Sequence, residues 1–204
     1  MNLGSYWESI YRTKAADAVS WYRPHLDRSL SLIESALPLR SAAIIDVGGG
    51  ESTLVDDLLA GGYQNLTVLD ISHVALAVTK ARLGGAAGSV RWICADVTRF
   101  PLAQPAYDLW HDRAVFHFLT EPQQRYDYIR AVQSGVRPGG HVIVSTFGAQ
   151  GPNKCSGLDV MRYDAQGLHG EFGDRFRLIE SSTEMHRTPF GTLQQFLYCY
   201  CRMA

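Results

Sequence analysis

Between residues 42 and 147 the chain repeats one pattern: a short apolar run, a turn, then a stretch with apolar residues at helical spacing. "AAIIDVGGG", "NLTVLDI", "SVRWICADV", "AYDLWHDRAVFHFL" and "RPGGHVIVSTF" carry the strand-like runs. "STLVDDLLAGG" puts Leu54, Val55, Leu58 and Leu59 on one helical face and stops at Gly61 and Gly62. Ser72 is placed to cap the helix "HVALAVTKARLGG", and "EPQQRYDYIRAVQSGV" turns Tyr128, Ile129 and Val132 inward. Strands alternating with helices over short connections assemble as a parallel sheet covered by helices. Before this region, Leu26, Leu30, Ile33 and Leu37 mark one more helix, which Pro38 ends. After it, "FRLIESSTEMHRT" and "TLQQFLYCYC" follow one another with no helix between, so they should pair antiparallel.

A chain of 204 residues suits a single domain, and the sequence shows no repeat, linker or low-complexity segment. Residues 148–175 form the one long irregular stretch, a length that points to function. The net charge of −1, with no basic run or stripe, gives no electrostatic footprint for nucleic acid. No apolar run is long enough to span a bilayer and the start has no signal-like core, so a cytoplasmic location is expected. Cys94, Cys155, Cys199 and Cys201 make no CxxC pair, and no metal site is expected. Cys199 and Cys201 read as buried small apolar residues on one strand face.

The ligand is read from "IIDVGGGEST". In an open α/β sheet ligands bind beyond the carboxyl ends of the strands, at the switch point after the first strand. Gly48, Gly49 and Gly50 let the backbone approach a ligand closely, and the helix starting near Ser52 points free N–H groups there. A nucleoside triphosphate loop would need a lysine after the glycines, and a dinucleotide loop would need glycine where Thr53 stands. Asp46 decides the matter, because a carboxylate there repels a pyrophosphate and suits an ammonium group. Asp70, ending the second strand, suits two ribose hydroxyls, and Asp96, ending the third, suits an exocyclic adenine amine. Amine, ribose and adenine together describe S-adenosyl-L-methionine.

With these residues in order, the sequence resembles the class I S-adenosylmethionine-dependent methyltransferases over most of its length. "IIDVGGGES", "VLDIS", "CADV", "YDLWHDRAVFHFL" and "RPGGHVIVSTF" are similar to that family's first to fifth motifs, and Ser52 departs from a third motif glycine. The resemblance implies a Rossmann-like α/β fold: doubly wound, with a mostly parallel seven-stranded sheet and a reversed C-terminal strand. It implies S-adenosyl-L-methionine as cofactor, with Ile71 and Val97 flanking the adenine. It also places His111, Asp112 and Arg113 beside the transferring methyl.

The acceptor side is read from three segments. Residues 1–24 hold Tyr6, Trp7, Tyr11, Trp21 and Tyr22, precede the sheet and are free to fold over the cofactor as a lid. Trp21 is expected at the sulfonium end, where an aromatic face attracts positive charge. In "HDRAVFHFL", Phe116 adds an aromatic neighbour and His117 is the side chain best suited to move a proton near neutral pH. His117, Asp112 and Arg113 are therefore the catalytic candidates. Residues 148–175, with Cys155, Arg162 and Tyr163, are expected to form the acceptor-side loop. A short lid without a recognition domain favours a small-molecule acceptor, with thiol or chalcogen compounds preferred and protein lysine as the rival. Binding without methyl transfer is a further alternative.

Overall fold

The computed structural model describes residues 3–101 and 104–204. Its central elements are β1 (Ala43–Val47), α3 (Leu54–Ala60), β2 (Asn65–Asp70), α4 (His73–Leu83), β3 (Val90–Cys94) and β4 (Tyr107–Arg113). They are followed by α5 (Pro122–Gly135) and β5 (Val136–Phe147), and preceded by α1 (Leu3–Thr13) and α2 (Asp27–Ala36). The C-terminal part holds β6 (Lys154–Cys155), β7 (Leu158–Asp159), α6 (Ala165–Phe172), β8 (Phe176–Arg187) and β9 (Leu193–Met203).

Seven strands form one sheet in the order β3-β2-β1-β4-β5-β9-β8. β1 pairs in parallel with β2 and β4, whereas β9 runs antiparallel to both β5 and β8. β9 is therefore the one reversed strand, as the resemblance implies. All five residues of β1 are buried, which requires cover on both faces of the sheet. Ile45 and Trp110 belong to the core on one side with α5 and α6, and Ile44 and Leu109 to the core on the other with α2 and α3. Because the chain leaves β1 in both directions, to β2 and to β4, their carboxyl ends part above it and leave a crevice.

Two elements correct the sequence reading. Residues 148–175 are not irregular throughout: they contain the β6–β7 hairpin and α6. Asp164 caps α6 by accepting from the Gly167 N–H at 2.7 Å, and only Leu168 and Phe172 bury a face. Gly167 and Gly170 lie in that helix, so its propensity is low and its apolar signal is two residues. The aromatic N-terminal segment is also helical over Leu3–Thr13 and buries no residue fully. Cys199 and Cys201 are buried as expected. Among the described residues no helix is long and apolar enough to cross a membrane, and no group of His, Cys, Asp and Glu could hold a metal ion.

A buried polar chain fixes the end of β4. Trp110 Nε1–H donates to Tyr128 Oη at 2.9 Å, and Tyr128 O–H donates to Asp112 Oδ2 at 2.6 Å. Asp112 also accepts from the N–H groups of Val115 (2.8 Å) and Phe116 (3.0 Å), which holds the turn where Ala114 takes a φ of 75°. Tyr128→Phe removes both the acceptor for the indole and the donor to the carboxylate in a dry core. It should lower stability by about 2–4 kcal/mol, read as a lower urea midpoint at constant slope.

Candidate active site

The crevice contains two chambers that meet at Gly48. The larger, with about 800 Å³ of empty space, is lined by Asp70, Ile71, Asp96, Val97 and Leu119 below, and by Leu3, Trp7 and Tyr11 of α1. The smaller, about 510 Å³, is lined by Asp46, Gly49, Glu51, Tyr22, Arg23 and His111. Tyr11, Trp21, Gly48 and Arg113 border both.

Asp46 is held from one side only. His111 Nδ1–H donates to Asp46 Oδ1 at 2.7 Å, and His111 Nε2 is bonded to Ser29 Oγ at 2.9 Å. Asp46 Oδ2 is buried and has no partner among the described residues, and neither has Glu51 Oε2. Burial pushes the Glu51 carboxyl up to about 7, although Arg82 opposes the shift. Such buried, unpaired acceptors are costly in a finished core and are explained by a missing donor. A Cβ on Gly49 would run into Asp46 Oδ2, so glycine there keeps that oxygen open.

Asp70 ends β2 and pins the glycine turn. Its Oδ2 accepts from the Gly50 N–H at 2.9 Å and its Oδ1 from the Ser72 N–H at 2.8 Å. Each oxygen keeps a lone pair for a ligand hydroxyl. Burial raises this carboxyl to about 6, against the pull of those two N–H groups. Asp96 lies two residues beyond β3, with Oδ1 accepting from Thr98 N–H (2.9 Å) and Thr98 Oγ1 (2.7 Å). Local bonding and pocket lining thus coexist at both aspartates.

Of the expected residues, Asp46, Gly48, Gly49, Asp70, Ile71, Asp96, Val97, His111, Trp21 and Arg113 border the chambers. Gly50 does not: it sits in the turn below, where a Cβ would meet Asp70 Oδ2 and Ala75 at 2.6 Å. Asp112 is buried beneath the β4 turn, with its oxygens occupied as described above. Phe116 is fully buried against Tyr128 and Phe172. His117, expected as a base, is fully buried and borders neither chamber. Its Nδ1 accepts from the Phe147 N–H at 3.2 Å, and burial, then the Arg113 charge, pull its pKa down to about 3. The proton of this neutral ring therefore sits on Nε2, and neither nitrogen offers a free lone pair. Arg162 bonds the carbonyls of Ala149 and Gly151, and Tyr163 bonds Glu171, so both close their loop. Cys155 lines the larger chamber, with burial raising its thiol to about 12.

Sequence reasoning missed Glu51, although it directly follows the glycines, and it missed Ser29. A serine on a helix face gives no signal until the opposite strand supplies its partner.

Comparison with known proteins agrees with this geometry. A family profile described as "Methyltransferase domain" matches residues 44–140. The eEF1A lysine and N-terminal methyltransferase of Mus musculus is 26% identical over 108 residues, 53% of this chain and 15% of that protein. The ubiquinone/menaquinone biosynthesis C-methyltransferase UbiE of Azotobacter vinelandii is 26% identical over 157 residues, 72% of this chain and 60% of UbiE. The chain thus spans only part of the length of the curated relatives it matches. Among solved structures, the Burkholderia thailandensis 1,6-didemethyltoxoflavin-N1-methyltransferase, crystallised with S-adenosylhomocysteine, superposes with a TM-score of 0.71. It is 20% identical, with 99% of this chain and 87% of that one covered.

Residues 44–140 match a methyltransferase domain, and in its fold the chain is similar to the class I S-adenosylmethionine-dependent methyltransferases. The cofactor of that class is S-adenosyl-L-methionine, and the residues present fit it: unpaired carboxylate oxygens for an ammonium group, a glycine cradle beside them, and Asp70 with lone pairs for hydroxyls.

The raised carboxyls set a pH dependence. Protonation would remove the charge that suits an ammonium group and turn one accepting lone pair of the carboxyl into an O–H donor. S-adenosylhomocysteine affinity should be full above about pH 7 and fall as pH drops through the raised values of Glu51, about 7, and Asp70, about 6. Calorimetry from pH 8.5 to 5 (about) reads the curve, in which each group costs roughly tenfold per pH unit once protonated. Asp70→Asn should weaken binding and flatten the lower limb, and an unchanged curve in that variant would remove Asp70 from the site.

Proposed function

We propose that the protein transfers a methyl group from S-adenosyl-L-methionine to a small-molecule acceptor in the cytoplasm, the accepting atom being a thiol sulfur or related chalcogen. The observation that carries this reading is the junction of the two chambers. It is bordered by Tyr11, Trp21, Gly48 and Arg113, none of which is an available base near neutral pH. The Tyr11 hydroxyl is held well above its ordinary pKa, by burial first and then by Asp70 and Glu51. A guanidinium does not deprotonate.

The cofactor, when bound, supplies a methyl group on a positively charged sulfur, which is already activated for transfer. The chain's residues hold it. Asp46 Oδ2 and Glu51 would take the ammonium, Asp70 the ribose hydroxyls and Asp96 the adenine amine, with Ile71 and Val97 against the ring. Trp21 and Tyr11 offer ring faces to positive charge at the junction. Positioning two reactants in a dry site is worth several kcal/mol without proton transfer. A junction with no base of its own suits an acceptor that ionises by itself, and a thiolate does so more readily than an alcohol or ammonium.

Residues 3–24 serve in this reading as the lid, the first two residues of the expected 1–24 segment lying outside the described residues. Glu8 Oε1 accepts from the His73 N–H at 2.7 Å, capping α4, and Tyr6 O–H donates to the Ser156 carbonyl. Trp7 packs on Trp21 and Phe118 with ring centroids at 5.9 and 5.1 Å. Such a contact set, polar at its ends and aromatic at its centre, can release as a unit. Residues 148–175 face the acceptor through Cys155.

The likeness to a lysine methyltransferase favours protein lysine as a second reading, but Arg113 at the junction opposes an approaching ammonium. Formation of S-adenosylhomocysteine with small thiols, rising with pH as the thiol ionises, tests the choice. Turnover with a lysine peptide alone would overturn it, and absence of turnover with every acceptor would favour simple binding. His117→Ala should leave turnover within about tenfold of wild type, well above the loss expected for a required base. Amide exchange in residues 3–13 should slow when S-adenosylhomocysteine is added, whereas equal protection in both states would make α1 fixed scaffold.

A further inference from the structure

Among the described residues, Arg113 has no carboxylate partner within 4.0 Å. Its Nη1 donates to the Trp21 carbonyl at 3.1 Å. Nε and Nη2 are buried and have no hydrogen-bond partner among the described residues. These two nitrogens share one edge of the planar guanidinium, the edge that grips a carboxylate through two parallel N–H···O bonds. Arg23, Arg28, Arg82 and Arg125 all pair with carboxylates, whereas no ion pair within 4.0 Å engages Arg113 among the described residues. The guanidinium carbon lies 4.2 Å from the centre of the Phe196 ring, which sets the plane of the fork.

We propose that Arg113 anchors an anionic group on the methyl acceptor, a carboxylate gripped side-on by Nε and Nη2. Its place supports this assignment. β1 and β4 pair in parallel with Asp46 level with His111, so Arg113 stands two residues beyond the Asp46 level. That offset is roughly 6–7 Å along the strands. The cofactor's amino and carboxyl groups share one carbon, so its carboxylate stays with the ammonium at the Asp46 and Glu51 end, where Arg23 also lines the chamber. Arg113 instead borders the junction, where donor and acceptor must meet. The charge is felt around it: together with burial it lowers the pKa of both His117 and His186. The neutral His186 ring donates from Nε2 to the Ser20 carbonyl at 2.7 Å, so its unpartnered Nδ1 is an acceptor and provides no counter-charge. A buried, unpaired cation is costly, and an arriving anion removes that cost.

The inference rests on the methyl-transfer reading for its setting, but its test does not require turnover. In protein saturated with S-adenosylhomocysteine, NMR titration compares propionate with propionamide, and 3-mercaptopropionate with its amide. Each carboxylate should bind roughly ten- to a hundredfold tighter than its amide, the worth of hydrogen bonds to a charged group. Arg113→Gln should erase that preference while S-adenosylhomocysteine affinity stays within about threefold. Arg113→Lys, which keeps the charge without the fork, should keep part of it and serves if the glutamine variant does not fold. Equal binding of acid and amide in the wild type, or a preference that survives Arg113→Gln, overturns the proposal. A loss of S-adenosylhomocysteine affinity as large as the loss of carboxylate affinity would give the fork to the cofactor and also overturn it. Because propionate carries no thiol, its preference stands or falls separately from any failure to methylate thiols.

Discussion

The hydrogen bond between Asp46 and His111 governs the rest of the site. Both side chains are buried at the centre of a parallel sheet, where a carboxylate needs a partner to remain charged. His111 satisfies one oxygen and is itself backed by Ser29 of α2, whose hydroxyl lies 3.4 Å from Tyr198 Oη on β9. Tyr198 O–H donates to Glu184 at 3.2 Å, and Arg23 pairs with the same carboxylate. One polar chain thus joins β1, β4, α2, β9, β8 and the segment before α2. It holds the first oxygen of Asp46 in place and leaves the second, buried beside Gly49, without a partner among the described residues.

The unsatisfied polar atoms divide by sign along the crevice. Asp46 Oδ2 and Glu51 Oε2 mark an acidic end, and Arg113 Nε and Nη2 mark a basic junction. Each would be a defect in a closed core, since a buried unpaired group loses its hydration without compensation. Together they have the polarity of a cavity built for two ligands, a cation-bearing donor and an anion-bearing acceptor. The Arg113 fork and the Asp46 oxygen sit on neighbouring strands, yet no ion pair within 4.0 Å joins them, and His111 pairs with the other oxygen of Asp46.

The fold was legible because both faces of the sheet are covered. Strands such as Ala43–Val47 are then mostly apolar runs, and the aspartates at or just beyond their carboxyl ends stand out. Asp46, Asp70 and Asp96 were readable for that reason, and all three line the crevice. Gly50 was read as lining from adjacency alone, but the turn folds it beneath its neighbours. His117 was misread for a related reason: it follows β4 closely, and only the partner at Phe147 shows that its lone pair is taken. α6 escaped notice because two glycines weaken its propensity and two apolar residues are too few to define a period. Arg113 was visible as a residue type, but its free edge depends on a carbonyl 92 positions away in sequence.

Losing His117 as a base changes what catalysis here has to consist of. A displacement at an activated methyl needs its partners aligned and water kept away, and both demands fall on the residues around Gly48. Gly48 has a φ of +71°, and a Cβ there would strike Val115, so the loop passes as near the junction as a backbone can. Val115 is in turn fixed by Asp112 through its N–H at 2.8 Å. Asp112 therefore shapes the junction without touching it, by setting the turn that carries Arg113 and Val115 off the end of β4. A rigid turn below, aromatic rings above and a fixed guanidinium at the side define a narrow approach, and the geometry of that approach replaces the proton transfer that the buried histidine cannot perform.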